Sequence, residues 1–83
     1  SMTSPQEMTT LASANTWFAA NAQRFPRSPE WKHGAWAGCL QAHGLKFQSS
    51  AWPSGSAPDD ARNAGFQYGY EQAKHDLQSG AAA

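Results

Sequence analysis

Two stretches of this chain align on each other without a gap, and the glycines they share limit what the chain can become. Trp31-Lys32-His33-Gly34-Ala35-Trp36-Ala37-Gly38-Cys39-Leu40-Gln41-Ala42 matches Arg62-Asn63-Ala64-Gly65-Phe66-Gln67-Tyr68-Gly69-Tyr70-Glu71-Gln72-Ala73 in the frame Gly-x-x-x-Gly-x-x-Gln-Ala. Each isolated glycine costs a helix about 1 kcal/mol relative to alanine, so two helices carrying a pair apiece need compensation. Close approach of another backbone supplies it: Gly34 with Gly38, and Gly65 with Gly69, each leave a smooth groove on one helix face. Such grooves serve either packing of the two helices on each other or contact with a partner. Stripes at helical spacing are most often core.

Helix starts are written clearly around this repeat. Ser4-Pro5-Gln6-Glu7 combines a cap, a proline suited to the first helical position and an acid able to reach back to the cap. The helix it opens carries Leu11, Ala14, Phe18, Ala22 and Phe25 on one face, with Trp17 on the flank, and should end near Phe25 because Pro26 follows. Ser28-Pro29-Glu30 opens a second helix with Trp31, Ala35, Gly38, Cys39 and Ala42 on one side and Trp36 and Leu40 on another. Gly44 is its natural stop. Ser56-Ala57-Pro58-Asp59 opens a third, ending near Leu77, with Phe66, Tyr70, Ala73 and Leu77 on one stripe and Ala61, Ala64 and Tyr68 on another. Leu45 to Gly55 is a connector rich in Ser, Pro and Gly. Phe47 and Trp52 make it too apolar for a free linker, so it should lie across the helices.

The expected fold is therefore all-α: one small three-helix domain over residues 4–77, its glycine-spaced second and third helices packed antiparallel or steeply crossed. Residues 1–3 read as a remnant of a cleaved tag, and 78–83 as a disordered tail without apolar periodicity. With 83 residues, the core is thin, and self-association would help it.

Chemistry-bearing patterns are few. Cys39 and His43 stand four apart, which could place two metal ligands on one face, but a zinc site needs three or four ligands and nothing completes the set. Cys39 as a nucleophile would need a basic neighbour and an oxyanion hole; mid-helix among apolar residues it reads as a small buried thiol. Asp59-Asp60 lies in a first helical turn, where the macrodipole favours acids. No phosphate loop, dinucleotide fingerprint or nucleophile elbow occurs. The reading is a non-enzyme with no cofactor and no metal. No run of about 18 apolar residues or secretory signal stands out, and a single cysteine fits a reducing cytoplasm.

Binding is the remaining class, and the aromatics carry it. Four Trp, four Phe and two Tyr exceed what so small a core must hold, and Trp and Tyr are enriched at binding hot spots. Trp17 and Trp31 read as core; Trp36 and Trp52 are expected to be exposed. With Tyr68 and Phe47 they form the candidate partner-binding set. Net charge is zero, against a general nucleic-acid binder. Yet Arg24, Arg27, Lys32 and Lys46 face the single acid Glu30 in one stretch, while Asp59, Asp60, Glu71 and Asp76 outweigh Arg62 and Lys74 in another. The bland account is mutual attraction between the halves; the functional one is a basic docking patch.

From Trp31 to Ala73 the chain resembles the small bacterial and phage proteins of the ribosome modulation factor family. The resemblance rests on Gly34-Ala35-Trp36-Ala37-Gly38, then Ala51-Trp52-Pro53-Ser54-Gly55-Ser56, then Gly65-Phe66-Gln67-Tyr68-Gly69-Tyr70. It implies a helical hairpin that docks on ribosomal RNA and proteins and restrains translation. The chain departs from the family in being neutral and in adding the helix opened at Ser4. The leading expectation is a protein-binding module, an inhibitor or modulator of a host macromolecular machine, of phage or prophage origin. A ribosome- or RNA-associated factor is the alternative, and a structural homodimer through the glycine faces the third.

Overall fold

The computed structural model describes residues 5–79, with side chains from Met8 onward. The expected Ser4 cap, the tag remnant at 1–3 and the tail from residue 80 lie outside the described residues. Among the described residues the protein is all-helical: α1 (Pro5–Phe18), a π-helical segment (Ala19–Gln23), α2 (Pro29–Ala42) and α3 (Ala57–Ser79).

The ends of α2 follow local chemistry closely. Ser28 Oγ accepts from the Trp31 amide at 3.2 Å and Pro29 occupies the first turn. At the other end Gly44, with φ +76°, turns the chain left-handed. The Gly44 amide then donates to Gln41 O (2.9 Å) and the Leu45 amide to Leu40 O (2.9 Å). These two bonds make a Schellman motif, which brings Leu45 back beside Leu40. α3 starts on Ser56, whose Oγ accepts from the Asp59 amide at 3.3 Å. It runs through Ser79, two residues beyond the expected end at Leu77.

The first helix departs from expectation. Helical winding stops at Gln23, close to the expected end near Phe25, but it widens into the π-helical segment after Phe18. Along this stretch Thr16 Oγ1 donates to Ala12 O (3.0 Å) and Asn21 Nδ2 to Trp17 O (2.9 Å), side-chain bonds of the kind that compete with the backbone ladder. The wider turn changes which residues share a face. Trp17 and Ala22, five apart, are both buried, whereas Leu11, expected on the buried stripe, is 40% exposed. The core face is therefore Ala14, Trp17 and Ala22, with Phe18 and Phe25 partly buried against it.

The glycine pairs are used inside the molecule. A Cβ on Gly34 would overlap the Arg62 carbonyl, and one on Gly65 the Trp31 carbonyl; Gly38 and Gly69 stand likewise against Phe66 and Ala35. Partner numbers rise together along both helices, so α2 and α3 run parallel. The antiparallel arrangement expected from sequence is thereby overturned. The connector of residues 43–56 returns along the outside of α2 to start α3 beside the start of α2, which an antiparallel pair would not require. Arg62, buried at 7% exposure, holds this return. Its Nη2 donates to Gln48 O at 2.8 Å and its guanidinium lies 5.1 Å from the Phe66 ring centre.

α1 is attached by a few specific contacts. The Cys39 thiol donates to Ala14 O at 3.5 Å, Trp17 Nε1 donates to Asp76 Oδ2 at 2.7 Å, and the Tyr68 hydroxyl donates to Asn21 O at 2.9 Å. Phe25, Trp31 and Tyr68 fill the corner between helices with ring centres 5.2–6.2 Å apart.

Candidate functional site

Successive residues of a helix lie roughly 100° apart around its axis. Gly34, Ala35 and Gly38 therefore face α3, and His33, Trp36, Ala37 and Leu40 face the opposite way. That opposite face is the floor of a groove of about 880 Å³. α1 contributes Leu11 to it, and the returning connector contributes Leu45, Lys46, Phe47 and Gln48.

Each wall is held by specific contacts. On the α1 side, the Phe18 ring meets Trp36 edge-on at 5.3 Å, so Trp36 is half-buried rather than exposed as expected. On the connector side, the Schellman turn sets Leu45 against Leu40, and the Arg62 bond to Gln48 O fixes the strand of chain behind Phe47. Phe47 packs on Phe66 at 5.2 Å and still leaves 39% of its surface free; Leu11 leaves 40% and Met8, one turn earlier on α1, 60%. The floor residues Ala37 and Leu40 are buried. The result is an open apolar trough whose two lips carry unburied large side chains.

The residues proposed from sequence do not form one surface. Trp36 and Phe47 both line the groove. Trp52 is half-buried, set edge-on against His33 at 5.4 Å, and props the connector instead of facing outward. Tyr68 lies on the far side of α2, tied to Asn21 and stacked in the corner cluster. The four glycines are occupied by α2–α3 packing and offer nothing to a partner. Of the basic set, Lys46 lines the groove, Arg27 lies over the Trp31 ring at 5.0 Å, Arg24 is exposed beyond the π-helical segment and Lys32 is half-buried on α2. Arg24 and Arg27 precede α2 and Lys46 follows it. Its 14 residues make a rod about 20 Å long, so these bases do not make one patch.

Leu11, Leu40 and Leu45 are the groove residues that sequence reasoning missed. For Leu40 and Leu45 the signal was present: a leucine four before and one after a helix-stopping glycine is the apolar pair of a Schellman motif. For Leu11 it was absent: in the regular α1 it lies about 60° from Ala14 and about 120° from Trp17, at the edge of the buried face, so spacing alone reads it as core.

Cys39, His43 and Asp59 make contacts within the fold. Burial pushes the Cys39 thiol up to about 12, so it stays protonated at neutral pH and unsuited to nucleophilic attack. The His43 ring nitrogen Nδ1 lies 2.8 Å from Cys39 O and 3.7 Å from Sγ; donating to the carbonyl, it cannot also take the thiol proton. Asp59, 7% exposed, accepts from the Gly55 amide (3.1 Å) and Asn63 Nδ2 (3.3 Å). The Ser50 hydroxyl first, then the Gly55 amide, hold its carboxyl below the usual carboxylate range. Among the described residues no three His, Cys, Asp or Glu side chains gather to hold a metal, and no helix is long and apolar enough to cross a membrane.

No family model matches this chain, and no curated protein or solved structure matches it either.

Proposed function

We propose that this chain is a non-catalytic protein-binding module, an inhibitor or modulator of a larger macromolecular assembly, and that the groove behind α2 is its docking surface. One observation carries the reading. The groove has an apolar floor and lips on which Leu11 and Phe47 keep about two-fifths of their surface unburied, 40% and 39%. A small domain that buries Ala14 and Ala22 completely gains by covering such side chains too, unless another molecule covers them. An amphipathic segment laid into a groove is a recurring mode of protein recognition.

Affinity capture from bacterial lysate, with the unaltered chain beside a Leu11→Ser, Phe47→Ser double variant, tests it. A protein retained by the first and lost by the second, insensitive to nuclease and to moderate salt, supports the module. Recovery of ribosomal components that depends on intact RNA and falls steeply with ionic strength would move the function to the alternative, a ribosome- or RNA-associated factor acting through Arg24, Arg27, Lys32 and Lys46. Retention of the same partners by both chains would remove the groove from the function.

A further inference from the structure

Building on that reading, we infer that the segment this groove takes is acidic as well as apolar: an amphipathic helix of a partner protein, with carboxylates flanking its apolar face. The charges around the groove point this way. Among the described residues its ionisable lining is His33 and Lys46, with no carboxylate. Lys32 lies one helical turn before Trp36 on α2 and adds a second amine toward that edge. Of the described acids, Glu30 stands in the first turn of α2 and is not among the groove's lining residues; the others are engaged or remote. Asp59, in the first turn of α3, accepts from the Gly55 amide, and Asp76 accepts from Trp17. Asp60 and Glu71 lie on the outer face of α3, roughly 120–180° around that helix from Gly65 and Gly69. On the groove side of α2 the described amines Lys32 and Lys46 thus outnumber Glu30, and a groove with such a rim selects its partner by charge.

Other occupants fit less well. A small-molecule site encloses most of its ligand, whereas here Leu11 and Phe47 stand open on the lips. A second copy could bring Asp60 and Glu71 to the basic rim, but the α3 face that carries them also presents Ala64 and Gln67, with no large apolar side chain to fill the trough. A separate helix with leucine or phenylalanine at i, i+3, i+4 and i+7 and acids beside them meets both requirements.

A displayed library of random peptides about 15 residues long, four helical turns, should be selected on the intact chain and counter-selected on the Leu11→Ser, Phe47→Ser variant. Circular dichroism should first show that the variant keeps its helices. The expected result is enrichment of peptides with helically spaced apolar residues and net negative charge, bound by the intact chain alone. A synthetic copy of the strongest should lose about tenfold in affinity on Lys46→Glu. Groove-dependent peptides that are neutral or basic would overturn the charge inference while leaving the docking reading standing. Absence of any groove-dependent enrichment would overturn both. Self-association in sedimentation that the double variant abolishes would place a second copy in the groove and overturn the acidic-segment inference.

Discussion

Gly34 and Gly65 make the same contact from opposite sides of the α2–α3 seam. Gly34 abuts the Arg62 carbonyl and Gly65 the Trp31 carbonyl, and Trp31 and Arg62 hold equivalent places in the sequence repeat. Gly38 against Phe66 and Gly69 against Ala35 repeat the relation one turn on, since Ala35 and Phe66 are also equivalent. The two repeat units are thus related by an approximate two-fold axis running along the parallel helices. The helical cost of four glycines is offset by backbones close enough that no Cβ fits between them.

Alanine at these sites should therefore act against its helix propensity. On an exposed helix Gly→Ala stabilises by about 1 kcal/mol. Gly34→Ala or Gly65→Ala must instead push two backbones apart, and each is expected to cost about 3 kcal/mol or more in thermal or urea unfolding. Gly44→Ala is the control: nothing lies within 4 Å of its Cβ position, so only the positive φ is penalised, at about 1 kcal/mol. Equal losses at all three positions would show that the seam is looser than described.

Release of α1 is expected from loss of its anchors. Asp76→Ala leaves Trp17 Nε1 without its charged acceptor, and Tyr68→Phe removes the bond to Asn21 O. The first should cost about 2 kcal/mol and the second about 1 kcal/mol. In hydrogen exchange, amides of α1 should lose protection in the double variant before those at the α2–α3 seam do. Uniform loss through all three helices would mean that α1 and the helix pair unfold as one unit.

Asp59 should shape the acid limb of stability. Its carboxyl is held below the ordinary value of 3.8, so the folded state favours the charged form. The resulting stability is present above that value and is lost as pH falls from 3.8 toward the lower folded value. Asp59→Asn should flatten this part of the stability–pH curve without changing its slope near neutrality. An unchanged acid limb in the variant would assign the slope to other groups.

Cys39 should behave in the opposite sense. Its thiol rises from an ordinary 9.0 to about 12, so the stability linked to keeping it neutral is complete below pH 9 and declines between the two values. At pH 8 the native thiol should react with a disulfide reagent only at the rate of opening of the α1–α2 contact, and fully once urea unfolds the chain. Fast reaction in the native state would show α1 to be loosely docked.

Helix starts and stops needed little more than neighbouring residues. Ser28 before Pro29, Ser56 two residues before Pro58, and Gly44 act through bonds and dihedral limits that span four or five positions, so a linear reading suffices for them. The repeat also announced that glycine faces must meet a backbone. Which backbone, and in which direction, depended on where residues 43–56 travel. That route is set by Arg62 reaching Gln48, Phe47 on Phe66 and Trp52 on His33, contacts between positions 14 to 19 apart. No periodicity encodes them. The groove followed from the same choice: by running parallel, α3 takes one side of α2 while the returning connector and Leu11 frame the other. Side-chain type and spacing thus determined the elements and their caps, because those energies are local. Helix direction and the groove behind α2 were decided only when distant parts of the chain packed together.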